Sequence, residues 1–429
     1  MSRGRALPGG FLIGCATAAH QVEGGIDNDW SRWVAADPSV VKDGSDATLA
    51  IDHFRRFRAD LADLGVMGHS AHRFSIEWAR VEPQPGVFDP EALRHYRGVV
   101  TACRAAGMEP YVTLQHFTLP VWLADRGGLT APETPWLFAR YAGACAEALG
   151  DAVRFWLTIN EPAVLAAMGH LLGNWPPRQA SPASFLGALR GLLLMHAAGS
   201  TAIHTVAAGH GWDAAVSLAH HERPLLPATG RLLDRAAAAL PNWLFNRWFL
   251  EACVSGRVLP PVGAGELVPG LSGSLDYLGV NNYAHDSVHF DPRARRTLFA
   301  RIDADPSLPH SSFGWAIDAQ GFRKVLVDLW QRYRLPIHVS ENGVADTGDE
   351  LRPRFIIDHL NALLDAVDEG CDIRAYLHWT AWDNFEWDQG YTQHFGLIAV
   401  DRDTMQRTPK PSAELYARIC RTGVVPRDV

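Results

Sequence analysis

Val153-Arg-Phe-Trp-Leu-Thr-Ile-Asn-Glu-Pro162 is a short apolar run that ends, with no spacer, in Asn, Glu and Pro. Its length and its aromatic and β-branched content read as a strand buried on both faces rather than a helix. Pro162 cannot continue a strand ladder but can open a helix at its first position. Ile337-His-Val-Ser-Glu-Asn-Gly343 repeats the design. Working outward, eight such runs occur: Gly10 to Ala16, Ala71 to Ile76, Glu109 to Leu114, Val153 to Ile159, Ala214 to Ala219, Leu275 to Val280, Ile337 to Ser340 and Ile373 to Trp379. Helical periodicity lies between them, as in Ala47 to Leu64, where Ile51, Phe54, Phe57, Leu61 and Leu64 recur at threes and fours, and in Gln320 to Tyr333. Strand alternating with helix means parallel pairing. Eight units predict one (β/α)8 TIM barrel over 1–429, its active site at the C-terminal ends of the strands. The rival, a doubly wound sheet, lacks both a Gly-x-Gly-x-x-Gly after an early strand and a P-loop.

The rest of the chain fits that frame. Its 429 residues are 47% apolar and 20% charged, which excludes disorder and allows a large core. A net charge of −8 offers no basic stripe, so nucleic acid is not an expected partner. The N-terminal apolar run is broken by Gly14, His20 and Gln21, so neither a signal peptide nor a membrane span is predicted. Cysteines at 15, 103, 145, 253, 371 and 420 have no Cys-x-x-Cys spacing and read as six buried thiols in a reducing cytoplasm. Two stretches, Gly169 to Ser184 and His285 to Phe313, read as long loops, the second carrying a solvated cluster of Arg293, Arg295 and Arg296.

Polar residues crowd the downstream ends of seven of the eight runs: His20, Gln21 and Glu23; Arg73 and Glu77; Gln115 and His116; Asn160 and Glu161; Asn281, Asn282 and Tyr283; Glu341 and Asn342; Trp379, Asp383, Asn384 and Glu386. Any one could be a helix cap or a salt-bridge partner. Their coincidence on one barrel face is harder to explain that way. Glu161 and Glu341 end the fourth and seventh runs, which lie nearly across the lumen from each other. Two carboxyls so placed can cleave a glycosidic bond, one attacking the anomeric carbon and the other protonating the leaving oxygen. Arg73 could hold the attacking carboxylate ionised, and the neighbouring charge with partial burial would keep the other protonated. Such chemistry needs no metal or other cofactor, and His220-His221 lack a ligand set.

The motifs run in order from Phe11-Leu-Ile-Gly-Cys-Ala-Thr-Ala-Ala-His-Gln-Val-Glu-Gly24 through Arg73-Phe-Ser-Ile-Glu-Trp-Ala-Arg80, Thr113-Leu-Gln-His-Phe117, Thr158-Ile-Asn-Glu-Pro162, Leu278-Gly-Val-Asn-Asn-Tyr283 and Val339-Ser-Glu-Asn-Gly343 to His378-Trp-Thr-Ala-Trp-Asp-Asn-Phe-Glu-Trp387. The chain thereby resembles glycoside hydrolase family 1, the retaining β-glucosidases and their relatives. The resemblance implies that Glu161 is the acid/base and Glu341 the nucleophile. It implies that Gln21, His116, Asn160, Glu386 and Trp387 hydrogen-bond the outermost sugar and that Trp379 is its stacking floor. Tyr283 would touch the nucleophile with Asn281 nearby, and Trp315 would line the leaving-group path. Expected substrates are small β-glycosides or oligosaccharides, with terminal glucose preferred and some tolerance of galactose and fucose. The charge of Glu386 is expected to exclude 6-phosphorylated sugars.

The chain departs from the family pattern at Ile13, Phe117, Ala163 and Asn282, where aromatics, often Trp, are common, and Ala163 weakens any claim about the aglycone subsite. A transglycosidase using the same glycosyl-enzyme intermediate and a catalytically silent carbohydrate-binding barrel are the alternative readings, and homo-oligomerisation stays open.

Overall fold

In the computed structural model, which describes residues 4–428, the eight apolar runs are the eight strands of a closed parallel barrel. The strands are β1 Leu12–Ala16, β2 Ala71–Ser75, β3 Glu109–Gln115, β4 Phe155–Asn160, β5 Ala215–His221, β6 Leu278–Asn281, β7 Ile337–Asn342 and β8 Ile373–Trp379. Each pairs with its sequence neighbours and β8 returns to β1, so no edge is left unpaired. The main outer helices are α1 His53–Val66, α2 Pro90–Ala105, α3 Thr134–Leu149, α4 Pro182–His210, α5 Trp248–Ser255, α6 Ala319–Tyr333, α7 Arg352–Asp368 and α8 Pro411–Thr422.

Two cores follow from strand alternation. Phe155 and Leu157 point into the lumen with Tyr111, Tyr277 and Leu377, while Trp156 points out among helix side chains such as Leu189 and Leu193. The lumen floor is a packed aromatic plug: Tyr111 stacks on Phe155 at 4.5 Å and its hydroxyl meets His338 Nδ1 at 2.9 Å. Barrel closure leaves no room for a side chain at two glycines. A Cβ on Gly14 would lie 1.7 Å from the Ala71 carbonyl oxygen, and one on Gly343 would lie 1.9 Å from that of Trp379. Helix α4 is long and apolar enough to cross a membrane, but Phe185, Leu189, Leu192 and Met195 are buried, and it packs on α3, β4 and β5.

Four expectations need correction. The first helix begins at His53, not Ala47, because residues 48–51 bond to the turn after β1 instead: Gly25 N–H donates to Thr48 O and Ile51 N–H to Val22 O. Gly169 to Ser184 is only partly loop, since π-helical turns cover Ala167–Leu172 and α4 starts at Pro182. Within 285–313 the strands Asp286–Phe290 and Ala300–Ala304 pair antiparallel, joined on the other side by Leu225–Pro227. Their alternating Val288 and Ala300 bury against Leu225, Ala237 and Ala238, the last two from the helix Leu232–Asn242, a small core of their own. The arginine cluster is exposed in the connecting turn. All six cysteines are free, but only five are buried, Cys420 being partly exposed near the end of α8.

Candidate active site

Glu161 and Glu341 reach the lumen through breaks in regular strand geometry. Neighbouring residues of a strand face opposite ways, yet Asn160 and Glu161 both reach the site, as do Ser340 and Glu341. The pairing of β4 with β5 slips between Leu157 and Asn160, and Glu161 itself takes a left-handed φ of 46° before Pro162 starts a short helix. The pairing of β7 with β6 slips between Val339 and Glu341. Such irregularities re-aim side chains at active sites and are held only where the surroundings over-determine them.

The surroundings here are a continuous hydrogen-bond network. Arg73 is fully buried and spans the lumen, donating from Nε to Thr113 Oγ1 (2.9 Å) and from Nη2 to Asn160 Oδ1 (2.8 Å), while Nη1 pairs with Glu341 Oε1. Tyr283 donates its hydroxyl to the other oxygen of Glu341 at 2.6 Å. Asn281 Nδ2 donates to Glu161 Oε1 (2.8 Å) and Asn160 Oδ1 (3.1 Å), and Ser340 Oγ orients Asn281 through its Oδ1 (2.7 Å). Both oxygens of Glu341 are therefore clamped. Among the described residues only one oxygen of Glu161 is bonded, so the other is free for a ligand.

The electrostatics follow. Burial pushes Glu341 up to about 7, with Arg73 opposing and Glu161 adding to the rise. For Glu161 burial acts the same way, but His221 and Asn281 overcome it and hold the carboxyl below its usual value. The two titrate as one system that takes up a proton near neutral pH. Arg73 and Tyr283 present donors to both oxygens of Glu341, while Asn281 and His221 face one oxygen of Glu161. His221 ends β5, the one strand end passed over as a source of site residues. Its Nδ1 lies 3.2 Å from Glu161 Oε1, although the angle makes no hydrogen bond.

A cavity of about 480 Å³ opens above the pair, lined at its inner end by His116, Asn160, Tyr283, Trp379, Glu386 and Trp387. His116 lies nearly parallel to both Trp379 (5.8 Å, 19°) and Trp387 (6.0 Å, 11°). Burial and the Arg73 charge hold His116 well below its usual pKa, so the ring is neutral; its Nε2 meets Asn160 Nδ2 at 3.1 Å and its Nδ1 has no partner. Trp315 stands further out, 5.5 Å from Tyr283 ring to ring. Gln21 and Asn281 stand behind the wall. Gln21 Nε2 donates to Glu386 Oε2 (3.1 Å) and to the Phe385 carbonyl (2.8 Å), while its Oε1 is buried without a partner. Burial, with the Glu341 charge adding to it, pushes Glu386 up to about 8. Near neutral pH the free site therefore favours the neutral form of Glu386.

The structure thus brings Arg73, His116, Asn160, Glu161, Asn281, Tyr283, Glu341, Trp379, Glu386 and Trp387 to one site and adds His221, Thr113 and Ser340, while Glu23, Glu77, Asn342 and Asp383 are held away from it by Arg80, Thr118, Tyr376 and Lys410. It can supply an oriented carboxylate, a proton and a flat apolar floor rimmed by hydrogen-bonding groups. Comparison with known proteins agrees. The model of Glycosyl hydrolase family 1 matches residues 4–424. Beta-glucosidase A of Acetivibrio thermocellus is 29% identical over 97% of this chain and 98% of its own length. The Beta-galactosidase of Sulfolobus acidocaldarius is 29% identical over 99% of this chain and 97% of its own. The beta-glucosidase from Thermotoga maritima in complex with glucoimidazole superposes with a TM-score of 0.89 at 28% identity, covering 98% of this chain and 99% of that one. The chain belongs to glycosyl hydrolase family 1 and is a glycoside hydrolase of the β-glycosidase type.

Proposed function

We propose that the enzyme removes a single β-linked hexose, glucose foremost, from the non-reducing end of its substrate with retention of configuration. The observation that carries this is the unequal treatment of the two carboxyls, one clamped at both oxygens by Arg73 and Tyr283 and the other left with a free oxygen. Glu341 attacks the anomeric carbon as the bond to the leaving oxygen breaks, and Glu161 gives that oxygen its proton. Positive charge developing on the sugar stabilises the Glu341 anion beside it, and the glycosidic oxygen supplies the missing partner for Glu161. Glu161 therefore carries the proton in the complex. In the second step Glu161 takes a proton from the water that attacks the glycosyl-enzyme, freeing Glu341.

Trp379 supplies the floor for the sugar's C–H face, and His116, Asn160, Glu386 and Trp387 the rim. His116 Nδ1 supports this, being buried with nothing to bond in the free site. The related beta-glucosidase and beta-galactosidase support a glycone pocket that takes either 4-hydroxyl epimer. The test is proton NMR of nitrophenyl β-glucoside hydrolysis: β-glucose is expected first, mutarotating later. Initial α-glucose, or no turnover of any aryl β-hexoside, overturns the proposal.

A further inference from the structure

The outer half of the cavity is built unlike its inner end, and nothing in the reaction requires it to be. After Glu161 the chain runs through Pro162–Ala166 and the π-helical turn Ala167–Leu172, presenting Val164, Ala167, Met168, Leu171 and Leu172 to the cavity. That spacing is one helical stripe, which a globular protein ordinarily buries in its core. Here all five are only half-buried, facing open space. Packed against Pro162–Ala166, a second π-helical turn, Trp243–Arg247, extends a helix that brings Pro241, Leu244 and Phe245 to the same cavity. π-Helical turns persist mainly where function keeps them.

Polar side chains are few in this outer part, Arg223, Thr297, Asp388 and Gln389 among them, and the first two are largely engaged within the protein. Arg223 gives two hydrogen bonds to Asp286 (2.5 and 3.0 Å) and lies over the Trp315 ring, and the Thr297 hydroxyl donates to the Ala300 carbonyl at 2.6 Å. A second sugar lodged here would lose water from most of its hydroxyls and find few partners, a cost that hydrogen-bonding sites avoid. The apolar lining also continues to the mouth, where Ile302 both faces the cavity and is 42% exposed.

We infer that the natural substrates are amphiphilic β-glycosides whose aglycone is a large hydrocarbon group, held in this outer chamber, rather than disaccharides or longer oligosaccharides. This rests on the β-glycosidase reading above. The aglycone oxygen sits at Glu161, the hydrocarbon fills the chamber lined by the two π-helical turns, and a longer chain emerges over Ile302.

The test is a homologous series of methyl, butyl, hexyl and octyl β-glucosides, all below their micellar concentrations, set against cellobiose. kcat/KM is expected to rise about threefold to fourfold per added methylene until the chamber is full. Cellobiose should fall at least tenfold below the octyl glucoside. Alkyl 1-thio-β-glucosides, which the enzyme cannot cleave readily, should bind more tightly in the same progression when measured by calorimetry. Leu171→Gln, at a half-buried position where the fold tolerates polarity, should flatten that progression while the melting temperature is retained. If aryl glucosides are hydrolysed but affinity does not change with chain length, or cellobiose is preferred, the inference falls and the glycosidase reading stands. If no glucoside is hydrolysed, the catalytic reading falls, and the thioglucoside binding series still decides the inference.

Discussion

The two halves of one cavity are made by different means. The inner end is made by strand ends, and its side chains are locked: Arg73, Asn160, Asn281 and Tyr283 reach the two glutamates through bonds of 2.6–3.1 Å or an ion pair. The outer end is made by the connections after β4, β5 and β6, whose apolar side chains touch the space without polar ties. Chemistry needs groups placed to within a fraction of an ångström, which a barrel's rigid strand ends provide. Choice of leaving group needs only shape and hydrophobicity, which helical turns and a small sheet can vary without disturbing the barrel.

The sharpest way to break this division is to remove each carboxyl in turn. Glu341→Gly should lower hydrolysis of every substrate by roughly 10⁴-fold or more, since no outer contact can replace the nucleophile. Glu161→Ala should cost roughly 10²–10⁴-fold on alkyl glucosides, which need the proton, and far less on nitrophenyl glucosides, which do not. Azide should then restore turnover in both, giving the β-glycosyl azide from the Glu161 variant and the α-glycosyl azide from the Glu341 variant. The same anomer from both variants would show that the roles are misassigned.

How much could be read from the sequence tracks the same division. All eight strands were legible, because a strand buried on both faces leaves a short continuous apolar run, and the two glutamates were legible because each ends such a run. His221 was missed although it ends the fifth run. A histidine pair reads as a metal question, and only the folded β5 brings it to Glu161. The outer chamber was not legible. Val164, Met168 and Leu171 have the spacing of an ordinary core helix, and nothing in the pattern says that their stripe faces a void. Nor did the sequence reveal the strands Asp286–Phe290 and Ala300–Ala304, whose pairing buries few apolar residues.

A milder change at the inner end tests whether the halves act independently. Glu386→Ser removes a rim acceptor held by Gln21 and should lower kcat/KM on plain glucosides at least about tenfold, the equivalent of roughly 1.4 kcal/mol. Because Leu171 and Phe245 lie on the outer walls, the loss should be the same for methyl and octyl glucosides, so that plots of log kcat/KM against chain length stay parallel. Lines that converge would mean that the two ends are coupled and that the division is false.

The smallest expected effect is on stability, and it isolates the electrostatic burden of the inner end. Glu386 has a folded pKa raised from 4.5 to about 8, chiefly by burial. A carboxyl raised in this way contributes stability that is fully present below its unfolded value and is lost as pH climbs through the folded one. Between pH 4.5 and 8 the unfolded chain gives up this proton while the folded enzyme keeps it, so Glu386 becomes steadily more costly. Each unit between the two values corresponds to about 1.4 kcal/mol, an upper bound where the site relaxes or admits water. Glu386→Gln keeps the shape and has nothing to titrate. The variant should therefore gain melting temperature relative to wild type as pH rises from 5 to 8, by several degrees, with little difference at pH 5. The comparison of variant with wild type cancels the opposing trend from buried histidines such as His69, His72 and His196, each held near 3 by burial. The same scan on Leu171→Gln should show little pH dependence in its difference from wild type, because the substitution removes no titratable group. A difference that shrinks with pH for Glu386→Gln, or one that grows for Leu171→Gln, would place the electrostatic strain outside the inner end and break the contrast between the two halves.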